Sequence, residues 1–182
     1  MKNQNVITVV MTAALLIALI LLSGHPFDIS IFFGSAYLLR QQAGGVVFRG
    51  YQRLAAILVF WVMGIVSYPF VCPVWVLYPF LLLINTTIFF FAPATNAVTM
   101  EEKLWKRKGV LTASEMSLLE ESLELRRQKK NRSIFLAGLL SLFTVIMHGR
   151  PISSLLLVTL LAEMISILKV IWESLLEEPH EM

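Results

Sequence analysis

The chain alternates long apolar runs with short polar breaks, and only two of those breaks carry a block of positive charge. The apolar runs fall at about 6–23, 27–39, 54–71, 74–91, 134–147 and 152–172. A helix needs about 20 apolar residues to cross a bilayer, with about 17–25 tolerated. The pattern therefore predicts six transmembrane helices, the second and fifth of them short enough to need a thinned or sheltered path. Gly24 with Pro26, Cys72 with Pro73, and Gly149 with Pro151 separate the helices of each pair, as helix breakers do. The first run, Val6 to Leu22, exceeds the ~7–15 apolar residues of a secretory signal and no small-x-small cleavage site follows it, so it reads as the first membrane helix.

Composition agrees with that pattern. Of 182 residues, 57% are hydrophobic and 15% charged, with a mean hydropathy of +0.75, far from a soluble domain of this length. Nine of the fifteen Lys and Arg lie between Lys103 and Arg132, and Arg40, Arg49 and Arg53 lie between the second and third runs. Short loops rich in Lys and Arg stay in the cytoplasm. With Lys2 added, thirteen of the fifteen basic residues then fall on the inner side, both termini are cytoplasmic, and Arg150 lies outside. The formal charge of +3 is thus a matter of topology, and no nucleic-acid partner is expected.

The segment "GVLTASEMSLLEESLELRRQKKNR", residues 109–132, is different in kind. Thr112 followed by Glu115 is a capping-box pattern that predicts a helix start. Met116, Leu119 and Leu123 recur at helical spacing, acids come early and Arg126, Arg127, Lys129 and Lys130 come late, which suits the helix dipole. This predicts a cytoplasmic amphipathic helix resting on the inner leaflet or the bundle, inside an insertion at about 101–132.

Few polar residues remain for chemistry. Cys72 is the single cysteine, so no intrachain disulfide forms. His25 and Cys72 both fall in outer turns, where a His–Cys pair is geometrically allowed, but a lone Cys among apolar residues is usually an inert small hydrophobe. The three His are far apart and no acids stand at i, i+4 in the membrane helices, so no metal or other cofactor is expected. Glu163 is the outstanding intramembrane charge, costing a few kcal/mol unless protonated or paired; Asn85 or Thr86 is the expected donor to it. Asp28 and Lys169 stand near helix ends and can snorkel. Trp61, Tyr68, Trp75 and Tyr78 suit an outer aromatic belt.

Three stretches resemble the accessory gene regulator B (AgrB) family, membrane cysteine endopeptidases that trim precursors of cyclic quorum-sensing peptides. "AYLLRQQAGGVVFRGYQRL" is similar to the family's helix end, Arg and small-residue pair leading into the catalytic hinge. "FFFAPATNA", residues 89–97, is similar to its Ala-Pro-Ala signal, and "SLLLVTLLAEMISILKV" to its last helix with an internal Glu, here Glu163. The resemblance implies a His two residues after the small pair Gly44 and Gly45, and a Cys seven residues further on. Those positions hold Val47 and Leu54. Neither side chain can act as a base or a nucleophile, and cysteine proteolysis needs a thiolate beside a base. The family's amphipathic leading segment has no counterpart ahead of Val6, so precursor-holding by that segment is not expected.

The sequence therefore predicts a single all-α, polytopic domain over residues 1–182, with about six membrane helices and one cytoplasmic helix, in a bacterial cell membrane. As implied by the resemblance, it is a relative of the peptide-processing membrane proteins with no intact catalytic residues. It would bind a precursor or signal peptide, or another partner, through Arg40, Gly44, Gly45, Arg49 and Arg53. Membrane lipid and a second copy of the chain complete the expected partners. Two alternatives stay open: an active cysteine endopeptidase maturing an autoinducing peptide, with an unrecognised site or with its native pair replaced, and a small channel or carrier using Glu163.

Overall fold

The computed structural model describes residues 2–45, 51–92 and 113–176. Val47 and Arg49 of the hinge, residues 93–97 of the Ala-Pro-Ala stretch and the Thr112 cap lie outside them. Six helices carry the described chain, with no strand element among the described residues: α1 (Lys2–Leu22), α2 (Pro26–Ala43), α3 (Tyr51–Ser67), α4 (Val74–Phe91), α5 (Ala113–Ile146) and α6 (Pro151–Leu176). Two of them, over Val74–Phe91 and Pro151–Glu173, are long and apolar enough to cross a membrane, and Val9–Leu22 and Gln52–Ser67 are shorter apolar helices.

The boundaries follow local chemistry. Pro26 and Pro151 open α2 and α6, where the missing N–H of a first-turn proline costs no helical hydrogen bond. Gly44 ends α2 with φ 82° and ψ −135°, a mirror-image extended conformation open to glycine, while its N–H returns to the Arg40 carbonyl at 3.1 Å. The third helix stops at Ser67 rather than at residue 71, because Pro69 pushes Tyr68 out of the helical region.

The expected break between a cytoplasmic helix and the fifth membrane helix is absent: both belong to one 34-residue helix, α5. No Gly or Pro separates Arg132 from Ile134. A switch from charged to apolar side chains changes the surroundings of a helix without interrupting its backbone ladder. At 1.5 Å per residue α5 is about 51 Å long, well beyond the ~30 Å of a hydrocarbon core.

The centre of the bundle is α6, which packs on α2, α3, α4 and α5, most extensively on α2 and α5. Its Leu157, Leu160, Met164 and Ile167 meet Leu39 and Ala43 of α2, Leu77, Leu81, Ile84 and Ile88 of α4, and Ala137 of α5. The α4 residues repeat at i, i+4, i+7 and i+11, one stripe of a helix. A second cluster joins Ile29, Phe32 and Leu155, where the Phe32 and Phe60 rings stack at 4.3 Å. Gly64 permits that approach, since a Cβ there would lie 2.8 Å from the Phe32 ring. Four buried hydroxyls are satisfied within their own helices, Ser35 to Phe32, Thr87 to Leu83, Thr144 to Leu140 and Thr159 to Leu155 carbonyls, the usual way to carry Ser or Thr in an apolar segment, whereas the Ser153 hydroxyl crosses from α6 to the Thr144 carbonyl of α5 at 2.9 Å.

Three turns meet at one end of the bundle. The His25 ring stacks on Tyr68 at 4.3 Å, and the Tyr68 hydroxyl donates to Asp28 at 2.9 Å. His148 Nε2 lies 3.0 Å from the Cys72 carbonyl, and Ser154 donates to the Phe70 carbonyl. Trp61 is half-buried and ties α3 to α1 by donating to the Leu19 carbonyl at 3.0 Å. Much of the outer surface is apolar: Leu22, Phe27, Trp75 and Leu82 are each more than 70% exposed.

Candidate functional site at the α2–α6 contact

The end of α2 lies against the middle of α6. Arg40 stands one turn before the Gly44–Gly45 pair, and Gly45 takes φ +100°. A Cβ on Gly45 would lie 3.1 Å from Ser166 Cβ, closer still to the Ser166 hydroxyl, and 3.4 Å from Glu163 Oε1. The hinge backbone is therefore seated on the Glu163–Ser166 face of α6, a contact that only an absent side chain allows. Glu163 and Ser166 share that face because they are three residues apart.

Glu163 is 4% exposed. The Arg40 guanidinium is near enough to interact with it electrostatically, so a base of α2 and an acid of α6 meet at the hinge. The Oε1 atom of Glu163 accepts no hydrogen bond among the described residues, and the same holds for Gln42 Oε1 at the end of α2. These acceptors can take N–H donors from a ligand, since a buried acceptor left without a donor costs about 1–3 kcal/mol.

The expected partners of Glu163 on α4 are engaged elsewhere. Asn85 donates to the Leu81 carbonyl at 2.8 Å and to Ser141 at 2.7 Å. Thr86 is exposed beside a groove between α4 and α5. Ser166 and Gln42 were not among the sequence-derived candidates. The i, i+3 spacing of Glu163 and Ser166 was readable in the sequence; the contact of α2 with this face was not.

Leu54, at the position the AgrB resemblance gives to the nucleophile, is half-buried in the first turn of α3, and Arg53 beside it is exposed. Cys72 follows the far end of α3, roughly 20 Å away along the helix. Its sulfur faces the Pro73 carbonyl at 3.7 Å, and burial pushes its thiol up, the opposite of activation. His25 stacks on Tyr68, and the imidazole that meets the Cys72 backbone is that of His148. A carbonyl oxygen only accepts, so His148 Nε2 carries its proton toward the Cys72 backbone and does not serve the sulfur as a base. Among the described residues no group of three or more His, Cys, Asp or Glu could hold a metal ion.

No protein-family model, curated protein or solved structure matches the chain.

Proposed function

We propose that the chain is a multi-pass membrane protein of the AgrB type that binds a peptide at the α2–α6 hinge without cleaving it. The membrane reading is supported by the two long apolar helices and by the exposed apolar surface, which is far larger than a soluble monomer tolerates. Both termini and the polar part of α5 then face the cytoplasm, in keeping with the positive-inside bias.

The observation that carries the binding reading is Glu163: a nearly buried carboxylate, seated on a glycine hinge, with one oxygen that accepts no hydrogen bond among the described residues. About 18 Å of α6 precedes it and about 20 Å follows, so it lies inside a ~30 Å hydrocarbon core. Acids at that depth mark functional sites by default. A peptide entering from the cytoplasm offers backbone N–H groups to Glu163, while Arg53 at the mouth meets an acidic stretch. Leu54 leaves the hinge without a nucleophile.

The test is direct. Purified wild type in detergent, incubated with a library of short peptides and read by mass spectrometry, should leave them intact. Cleavage abolished by iodoacetamide would overturn the non-catalytic reading.

A further inference from the structure

A groove of about 410 Å³ runs between α4 and α5, lined chiefly by Phe89, Phe90, Asn85, Ile134, Ala137 and Gly138. It lies between a basic residue and a polar pair. Lys130 precedes Ile134 by four residues and Gly138 by eight, so it tops the same face of α5, and its ammonium sits 5.7 Å above the Phe89 ring. At the other end the Asn85 amide and the Ser141 hydroxyl join at 2.7 Å. Lys130 and Ser141 are about 16 Å apart along the helix, which is half of a ~30 Å hydrocarbon core. The groove lining on α5, Ile134 to Gly138, is about 6 Å long; with Lys130 above it and the Asn85–Ser141 bond below it, the strip as a whole covers about one leaflet.

We propose that this groove holds one acyl chain of an anionic phospholipid of the inner leaflet, with its phosphate on Lys130. The inference rests on the membrane reading given above, and is independent of the peptide site. Two features favour a lipid over a helix of another protein. The strip from Lys130 to the Asn85–Ser141 bond stops after about 16 Å, the reach of a lipid chain into one leaflet and half that of a transmembrane helix. The Lys130 end is positively charged, with Arg127 and Lys129 exposed nearby on the same helix, so a headgroup phosphate meets complementary charge while the chain meets Phe89, Phe90 and Ile134.

Gly138 supplies a clean perturbation, because nothing lies within 4 Å of a Cβ added there. The protein is placed in nanodiscs of equal parts phosphatidylcholine and phosphatidylglycerol, and retained lipids are counted by native mass spectrometry. Wild type should retain phosphatidylglycerol about fivefold over phosphatidylcholine, the Boltzmann factor for one basic residue at an anionic surface. Lys130→Gln should bring the ratio near one, and Gly138→Leu should remove the bound lipid with the helix content by circular dichroism unchanged. A chain that enters the disc and shows no preference, or a preference untouched by Lys130→Gln, overturns this inference alone. A chain that does not enter the disc overturns the membrane reading with it. Efficient disulfide dimers of Gly138→Cys without bound lipid would assign the groove to a second copy and overturn the proposal.

Discussion

Gly45→Ala should destabilise the bundle more than Gly24→Ala, which is its control. Both glycines have positive φ, +74° at Gly24 and +100° at Gly45, so both substitutions carry a backbone cost of about 1–2 kcal/mol. Their surroundings differ. A Cβ at residue 24 meets nothing within 4 Å, whereas at residue 45 it collides with the Ser166 hydroxyl and comes within 3.1 Å of Ser166 Cβ. Ser166 sits on α6, the central helix, so relief requires α2 and α6 to separate. Overpacking of that kind costs about 1–3 kcal/mol. At about 2–4 °C per kcal/mol for a chain of this size, Gly45→Ala should melt roughly 6 °C below Gly24→Ala in the same detergent. Ser166→Gly removes the colliding atoms, so the double variant should recover at least half of that difference. Equal melting temperatures for Gly45→Ala and Gly24→Ala would refute the seating of the hinge on α6.

The remaining predictions concern charge, the thiol and topology. Glu163→Leu leaves the half-buried Arg40 facing an apolar side chain and should cost about 3 kcal/mol, the low end for breaking a buried charge pair; replacing both residues, as Arg40→Met with Glu163→Leu, should restore most of it in thermal melts. Burial raises the Cys72 pKa, so little thiolate exists at neutral pH and the deficit closes as pH rises through the raised value; iodoacetamide should react more slowly than with free cysteine at pH 7, and a faster reaction would contradict the inert-thiol account. In a Cys72→Ser background, single cysteines replacing Lys2, Glu115 or Glu181 should resist an impermeant maleimide added outside the cell, and strong labelling at residue 115 would overturn the orientation.

Much of this arrangement was legible from hydropathy and breakers. The α4 limits agree with the apolar run at 74–91 because Pro73 precedes the run and α4 ends with it. Residues 40–43 add a last turn to α2 that hydropathy could not show, since Arg and Gln are good helix formers whatever their polarity. The continuity of α5 was hidden for the same reason: polarity changed at Arg132 while helix propensity did not. Glu163 was legible as an exceptional charge, but its partner was not. A pattern along one chain shows which face of α6 carries the acid, and the helix crossing decides whether Arg40 or Asn85 meets it.

On the proposed function a peptide occupies the hinge and leaves it uncut. The most direct measurement places a photo-cross-linking amino acid at Leu54 in the living cell and reads the intact mass of the irradiated, purified protein. An adduct with an uncleaved peptide is expected, lost when Glu163 is replaced by Leu and kept when Cys72 is replaced by Ser. Absence of any peptide adduct, or an adduct consisting of a fragment whose formation requires Cys72, would contradict it.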